Sequence, residues 1–227
     1  TSSLPPLLIL MRPHQWSKNI LLFFPVVLAH RLREPALIGR ILLAAACFSL
    51  MASAVYVLND YLDVEADRQH PNKKFRPLAA GTVALGLAPW LSLGLALVSL
   101  GAAFAFIHRG FALLLLTYLA ANLLYSSYFK RIPILDTVFL TLMFVMRIYA
   151  GGFAGSIPVS FWLLTFSLFF FLSIALAKRV QELQIAAAKE NAPSDQKIRG
   201  YQIADLPCLN QLGISSGIIS VLVLALY

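Results

Sequence analysis

Four oxygen-bearing side chains recur at helical spacing in Asn59-Asp60-Tyr61-Leu62-Asp63-Val64-Glu65-Ala66-Asp67. Asn59, Asp63 and Asp67 are four residues apart, and Asp60 lies three residues before Asp63, so a helix places all four on one face. Carboxylates stacked in this way repel one another where the dielectric is low. Mg²⁺ is the expected counter-ion, because it takes one or two protein carboxylates and completes its shell with substrate phosphate oxygens.

A plainer interpretation treats these acids as a solvated helix end. Four basic residues follow within ten positions, and they could simply neutralise the carboxylates: Arg68, Lys73, Lys74 and Arg76. An acidic face followed by a basic loop could equally hold a metal-bound diphosphate from two sides. In that case Arg76, fixed before Pro77, would bind phosphate oxygens with its forked guanidinium group. The residue types alone leave both interpretations open.

The elements that must position these residues are membrane spans. Of 227 residues, 59% are hydrophobic and 12% are charged, whereas soluble domains are only about 45–50% apolar. Uncharged stretches predict transmembrane helices at 41–58, 85–107, 110–129, 134–150, 159–177 and 208–227, and a shorter one at 19–30 makes a seventh if it begins near Pro13. The sequence therefore predicts an all-α polytopic transmembrane helical bundle, a single domain over 1–227, and excludes a soluble globular fold.

The net charge of +8 indicates topology and not nucleic-acid binding. Basic residues concentrate at 12–18, 68–76, 130–131 and 178–199, and the positive-inside rule places these segments, with the N-terminus, in the cytoplasm.

Two further predictions concern local features of the helices. Residues 151–158 predict a tight turn because they hold three glycines and a proline. Arg147, near the outer end of its helix, is expected to extend to the membrane surface.

Residues 59–67 resemble the NDxxDxxxD signature of the UbiA superfamily of intramembrane prenyltransferases, and Arg76-Pro77-Leu78 with Gly81 resembles the RPL segment beside it. Residues 12–19, 63–81, 130–136 and 147–152 are most similar to its decaprenyl-phosphate phosphoribosyltransferase branch. The resemblance covers residues 11 to about 205. It implies nine helices around a central cavity that is open to the cytoplasm. This chain would hold about seven of them, so it is expected to be C-terminally incomplete.

The resemblance also assigns roles to individual residues. It implies Mg²⁺ as cofactor, with Asp60, Asp63 and Asp67 as the metal ligands and catalytic residues. The residues expected to bind substrate are Lys18, Asn59, Arg76, Lys130, Lys178 and Arg179.

The chain departs from the superfamily at a second aspartate motif, DxxxD, which normally follows the sixth helix. Here that region reads Ala177-Lys178-Arg179-Val180-Gln181-Glu182-Leu183. Unneutralised positive charge at Lys178 and Arg179 suits an acceptor that is itself a lipid phosphate, although both could also cap the helix C-terminus. Asp136 is expected either to pair with Lys130 or Arg131 or to take part in catalysis.

These observations predict a Mg²⁺-dependent transferase in the bacterial cytoplasmic membrane, with its active site facing the cytoplasm. It would move phosphoribose from phosphoribosyl diphosphate to a polyprenyl phosphate and release diphosphate. The alternative within the superfamily is transfer of a prenyl group from its diphosphate to an aromatic or other acceptor. An ion-coupled transporter is a third hypothesis, but the acids cluster at a helix end and not at the bilayer midplane, where transporter sites lie.

Overall fold

The computed structural model describes residues 5–188 and 198–226, and within these ranges the chain is helical without strands. The α-helices are α1 (Pro6–Met11), α2 (Phe24–Leu28), α3 (Pro35–Leu62), α4 (Val64–Gln69), α5 (Leu87–Phe106), α6 (Arg109–Ser127), α7 (Leu135–Gly155), α8 (Phe161–Ala187) and α9 (Leu206–Leu226). Short 3₁₀ helices lie at Lys73–Phe75, Phe129–Arg131 and Ile203–Asp205, and a longer one covers Pro13–Phe23. Six helical segments are long and apolar enough to cross a membrane, which confirms the all-α transmembrane prediction.

The first hydrophobic segment has an unexpected conformation. It begins at Pro13, but it is a 3₁₀ helix for 11 residues before α2 continues it to Leu28, and it is not one of the six long apolar helices. Runs of 3₁₀ helix longer than 3–4 residues are uncommon. The segment runs antiparallel to α3, because the Trp16 indole donates to Ser53 Oγ at 3.0 Å and the buried Asn19 amide donates to Ser49 Oγ at 2.8 Å.

The described residues form two compact units. The first comprises the chain as far as Asn122 together with Ala150–Ile157. In it α5 packs on α3 through a row of small buried residues at helical spacing: Ala88, Ser92, Ala96, Ser99 and Ala103. Ser92 Oγ donates to the Ala54 carbonyl at 2.8 Å, and Ser99 Oγ donates to the Cys47 carbonyl at 2.7 Å. Small residues allow this close approach of backbones, which stabilises helix pairs in lipid by van der Waals contact.

The second unit comprises Leu123–Tyr149 and the chain from Pro158 onward. Here α8 packs along α9, and small residues of α9 again form the contact. A Cβ added at Gly217 would lie 3.2 Å from Ser173 Oγ, and one added at Gly213 would lie 3.5 Å from Leu176 Cβ. Leu176, Leu183, Tyr201 and Leu209 form the buried cluster at this packing surface.

Two local predictions were wrong. Residues 151–155 are not a turn, since α7 continues through them to Gly155 and the chain reverses only at Ser156, whose φ is +52°. Gly151 is needed inside the helix because a Cβ there would lie 2.0 Å from the Leu22 carbonyl oxygen. Arg147 is 5% exposed and donates to the Met143 carbonyl, so its guanidinium is buried and does not extend to the surface.

Candidate functional site

The acidic segment lies where α3 ends and α4 begins. Asp63 interrupts the helix with φ −94° and ψ 7°, yet the hydrogen bonds from Asp63 N to Asn59 O and from Asp67 N to Asp63 O keep helical spacing on both sides. Asp60 and Asp67 are 3% and 2% exposed, while Asp63 is half-buried and Glu65 is exposed. The helical face predicted from the spacing is therefore present, with a distortion at its centre.

Two arginines from distant parts of the sequence meet the buried acids. Arg76 Nη1 lies 3.0 Å from Asp60 Oδ1 and 2.6 Å from Asp67 Oδ2, so one nitrogen joins the two carboxylates. Arg12 Nη2 lies 2.6 Å from the same Asp60 oxygen. Lys73 Nζ lies 4.0 Å from Asp67 Oδ1. We call Asp60, Asp67, Arg12, Arg76 and Lys73 the acid–arginine cluster.

Arg12 was not predicted as a site residue. It joins α1 to the 3₁₀ helix with φ +53°, a left-handed conformation that is strained for a non-glycine residue. Its side chain passes over the Tyr56 ring at 5.1 Å before it reaches Asp60. Such strain persists only where surrounding contacts impose it. Its position 48 residues before Asp60 gives no local signal of this contact.

Some of the acids pair with the basic residues that follow them in the sequence, as the interpretation of a neutralised helix end predicted. Glu65 pairs with Arg68 in an exposed bridge of 3.0 Å, and Asp67 pairs with Arg76. Asp60 and Asp67 are nevertheless buried, so they do not form a solvated helix end. Burying ionised carboxylates costs several kcal/mol unless cations compensate them. The two arginines supply that compensation.

The donor atoms fit a hard divalent cation. They are carboxylate and amide oxygens, which Mg²⁺ prefers, and Asn59 Oδ1 is buried without a hydrogen-bond partner. An orphaned buried acceptor of this kind is uncommon. Across residues 5–188 and 198–226, no three acidic, histidine or cysteine side chains converge as a complete metal site.

A second polar cluster lies in the other unit. Asp136 is fully buried and accepts from Arg179 Nε at 2.7 Å and from the Tyr201 hydroxyl. Arg179 Nη1 also pairs with Glu182, and Arg179 is 2% exposed. Asp136 therefore pairs with Arg179 and Tyr201, which is a partner set the sequence did not predict. Arg179 points its donors at protein carboxylates in this structure.

Tyr201 connects the turn that follows α8 to the loop that precedes α7 through hydrogen bonds of its hydroxyl group. Its hydroxyl accepts from the Ile134 N–H at 2.7 Å, and Ile134 has φ +66°, which is rare for a β-branched residue. Gly200 has φ +85°, and a Cβ there would lie 2.4 Å from the Arg131 carbonyl oxygen. Burial and the hydrogen bond to Asp136 raise the pKa of Tyr201 to about 12.

The remaining predicted site residues are placed as follows. Lys18 is half-buried on the 3₁₀ helix of the first unit, and Lys130 is half-buried on Phe129–Arg131 in the second. Lys178 is exposed on α8, next to the buried Arg179. Arg199 donates to the Tyr125 hydroxyl at 3.0 Å. The structure thus gathers Asp60, Asp67 and Arg76 in one cluster, and it holds Arg179 in the other.

Comparisons with known proteins agree with this architecture. The model of the UbiA prenyltransferase family matches residues 20–226. The chain is 35% identical over 217 residues to the Sinorhizobium fredii protein y4nM, covering 96% of this chain and 42% of that protein. It is 37% identical over 180 residues to the decaprenyl-phosphate phosphoribosyltransferase of Mycobacterium tuberculosis, covering 78% of this chain and 59% of that enzyme. The chain thus spans about half the length of these two relatives.

A solved structure shares the fold. The UbiA homologue from Archaeoglobus fulgidus, bound to GPP and Mg²⁺, superposes with a TM-score of 0.75 at 20% sequence identity. The match covers 97% of this chain and 77% of that one.

Proposed function

The chain belongs to the UbiA prenyltransferase family, and from that premise we propose that it transfers phosphoribose from phosphoribosyl diphosphate to a polyprenyl phosphate, releasing diphosphate. The most direct support is the acid–arginine cluster, because two buried carboxylates beside two guanidinium groups suit a metal-bound diphosphate. We place the enzyme in the bacterial cytoplasmic membrane, with this cluster facing the cytoplasm, where a water-soluble donor is found.

We assign Mg²⁺ to Asp60, Asp63 and Asp67, with Asn59 Oδ1 orienting that shell. When bound, the metal neutralises charge on the leaving diphosphate. Arg76 and Lys18 bind diphosphate oxygens, and charge-assisted hydrogen bonds from the guanidinium group fix the donor's orientation. Our assignment of Asp63 follows from its helical spacing with the other two acids.

The bond changes need no protein nucleophile. The bond from the anomeric carbon to the diphosphate oxygen breaks, and diphosphate leaves with its electron pair. An oxygen of the lipid phosphate forms the new bond to that carbon. Since the lipid phosphate is already ionised, no general base is required. We assign its binding to Lys130 and Lys178, whose charge is suited to a phosphate monoester.

Phosphoribose is favoured over a prenyl group as the transferred unit by two observations. The chain is similar to a decaprenyl-phosphate phosphoribosyltransferase along 78% of its length. In addition, the second polar cluster neutralises its acids with Arg179 and does not present an aspartate pair to a second metal-bound diphosphate. Arg179 then contributes to lipid-phosphate binding indirectly, because it holds Asp136 and Glu182 in place.

A paired assay tests the proposal. The full chain, purified in detergent with Mg²⁺, is given labelled phosphoribosyl diphosphate with a polyprenyl phosphate, or a labelled prenyl diphosphate with an aromatic acceptor. We expect a labelled lipid in the first reaction and no product in the second. Product in the second reaction alone would assign the chain to prenyl transfer. Prenyl transfer is the competing hypothesis because the Archaeoglobus homologue was solved bound to GPP. Ion flux into liposomes without either product would indicate a transporter.

A further inference from the structure

A tight turn after α8 holds an arginine in a strained backbone conformation. Ile198 and Tyr201 exchange two backbone hydrogen bonds of 3.0 Å, and between them Arg199 and Gly200 have φ values of +53° and +85°. Positive φ at both central positions defines a type I′ turn, which favours asparagine, aspartate and glycine. Arg199 therefore adopts a conformation that its own backbone disfavours. We call these four residues the 198–201 turn.

The 198–201 turn is fixed by contacts on both of its sides. Tyr201 is 1% exposed, and its hydroxyl donates to the fully buried Asp136. Gly200 lies so close to the Arg131 carbonyl oxygen that an added Cβ would be 2.4 Å from it. These contacts impose the strain at Arg199, because such strain persists only where the surroundings determine the backbone.

The charge of Arg199 is not neutralised by its partner. Arg199 is exposed, and its guanidinium donates to the Tyr125 hydroxyl, a neutral group, at 3.0 Å. In the part of the chain that the structure describes, Arg199 forms no ion pair. Arg179, in contrast, is 2% exposed and already paired with two protein carboxylates. Of these two arginines, Arg199 is the one that can bind an anion from outside.

The 198–201 turn lies at the level where membrane spans end. Its partner Tyr125 is in the last turn of α6, which ends at Ser127, and its partner Asp136 is in the first turn of α7, which begins at Leu135. Phosphate headgroups lie at this level of a bilayer, and basic groups between transmembrane helices bind them. An anion bound by Arg199 would therefore lie where a lipid tail can extend along the spans.

A second cation belongs to the segment that the turn contacts. Lys130 is half-buried and directly precedes Arg131, whose carbonyl oxygen Gly200 approaches. A phosphate monoester carries about 1.5 to 2 negative charges near neutral pH. One arginine and one lysine balance that charge, and the guanidinium fork binds two phosphate oxygens at once. The pair of Arg199 and Lys130 thus suits a phosphate monoester.

We propose that Arg199, together with Lys130, binds the phosphate of the lipid acceptor, and that Tyr201 is a positioning residue which holds the turn for this contact. Arg199 thereby takes the direct contact that the sequence predicted for Arg179. The inference deepens the proposed function and rests on it for the identity of the acceptor. It does not depend on the donor.

Calorimetric titration of the full chain in detergent tests this contact without turnover. The ligands are a polyprenyl phosphate, the uncharged polyprenol of the same length, and inorganic phosphate. Arg199→Asn removes the charge and places a favoured residue in the type I′ turn. It should lower the affinity for polyprenyl phosphate at least about 10-fold, because a charge-assisted hydrogen bond is lost. Its affinity for polyprenol should stay within about twofold of the wild type.

Arg131→Asn is the matched control. It removes the same charge from the loop beside the turn, but the Arg131 side chain is exposed and lies outside the strained positions. Its affinity for polyprenyl phosphate should stay within about twofold of the wild type, because an exposed charge without a direct contact is screened by salt. Equal losses in the two variants would show a general effect of basic charge and overturn the proposal.

Two further measurements separate binding from folding. The thermal unfolding midpoint of Arg199→Asn should equal or exceed that of the wild type, because asparagine tolerates positive φ better than arginine does. A lower midpoint would make Arg199 a structural residue and contradict the proposal. Tyr201→Phe should also lower the affinity for polyprenyl phosphate, by about threefold or more, without changing that for polyprenol. Unchanged affinity there would reject its positioning role.

The remaining outcomes distinguish the ligand from the reaction. Inorganic phosphate should bind at least about 100-fold more weakly than polyprenyl phosphate, because burial of the isoprenoid adds affinity. Equal affinities would assign the site to a soluble phosphate and overturn the lipid assignment. If no labelled lipid forms in the transfer assay but Arg199→Asn selectively weakens polyprenyl phosphate, the donor is wrong and this inference stands. If labelled lipid forms and Arg199→Asn binds as the wild type does, the inference is wrong and the proposed function stands.

Discussion

At the residue scale, the acids of one short segment differ in role despite their proximity. Asp67 is 2% exposed and joined to Arg76, whereas Glu65 has a side chain that is 76% exposed and joined only to Arg68 by an ion pair of 3.0 Å. Spacing alone indicated this division, since Glu65 lies off the face shared by the aspartates. Burial now supplies a physical reason to expect different consequences when each charge is removed.

Asp67→Asn should lower the transfer rate by about 100-fold or more, because a metal that stabilises several kcal/mol of leaving-group charge would lose a ligand. Asp63→Asn should have a comparable effect, and EDTA should abolish activity. Steady-state rates with labelled donor measure these losses. Glu65→Gln is the matched control and should stay near the wild-type rate. Full activity in both aspartate variants would remove the metal-site assignment.

Tyr201 is the residue whose removal should cost stability. Tyr201→Phe removes the hydroxyl that donates to the buried Asp136 Oδ1 and accepts from the Ile134 N–H, which costs about 1–3 kcal/mol in the free energy of unfolding. Unfolding of the detergent-solubilised chain measures this difference. Tyr128→Phe is the control, since Tyr128 is 64% exposed and lies beside the same loop. Equal stability of the two variants would contradict the assigned role.

The same hydroxyl predicts a pH dependence. Because the folded-state pKa of Tyr201 is raised to about 12, above the ordinary value of about 10, ionisation is disfavoured by folding. Its stabilising contribution is therefore complete below about pH 10 and is lost as pH rises towards 12. The stability difference between wild type and Tyr201→Phe should narrow across that interval. A difference that stays constant would show that Tyr201 titrates normally.

At the element scale, the sequence located helices better than it described their conformation. Apolar length is a local property, so six long helices fall where uncharged stretches predicted them. The 3₁₀ geometry of Pro13–Phe23 and the continuation of α7 through Gly151 depend instead on neighbouring backbones. The contacts of the site could not be predicted from the sequence either, because they join distant positions. Arg12 and Asp60 are 48 residues apart, and Arg179 and Asp136 are 43 residues apart. Local spacing predicted the acidic face but could not reveal these partners.

Gly151→Ala tests the close approach of α7 to the 3₁₀ helix. A Cβ at 2.0 Å from the Leu22 carbonyl oxygen cannot be accommodated without moving backbone, so the free energy of unfolding should fall by about 1–3 kcal/mol. Denaturant unfolding in detergent measures the change. Gly94→Ala on α5 is the control, because nothing lies within 4 Å of its added Cβ. Since alanine is the better helix former at an open position, Gly94→Ala should not lose stability, and comparable losses at both positions would contradict the close approach as the cause.

At the scale of the whole molecule, the charge distribution predicts orientation. Cysteine replacements at Asn72 and Arg109, made after Cys47 and Cys208 are replaced, should react with a membrane-impermeant thiol reagent from opposite sides. Position 72 should be labelled only from the cytoplasm and position 109 only from outside, because basic loops are retained in the cytoplasm. The reverse pattern would place the acid–arginine cluster on the side where a cytosolic donor has no access.

The 3₁₀ helix at Pro13–Phe23 also determines how far the first hydrophobic segment extends. Its 11 residues extend about 22 Å at the 3₁₀ rise of about 2.0 Å per residue, and the five residues of α2 add about 8 Å. This reach of about 30 Å equals the hydrocarbon thickness of a typical bilayer, which an α-helix needs about 20 residues to cross. Wound as an α-helix, the same segment would be about 5 Å shorter, one helical turn. The elongated pitch therefore lets a short segment cover the length that a longer α-helix would need, while Arg12 at its start stays beside Asp60.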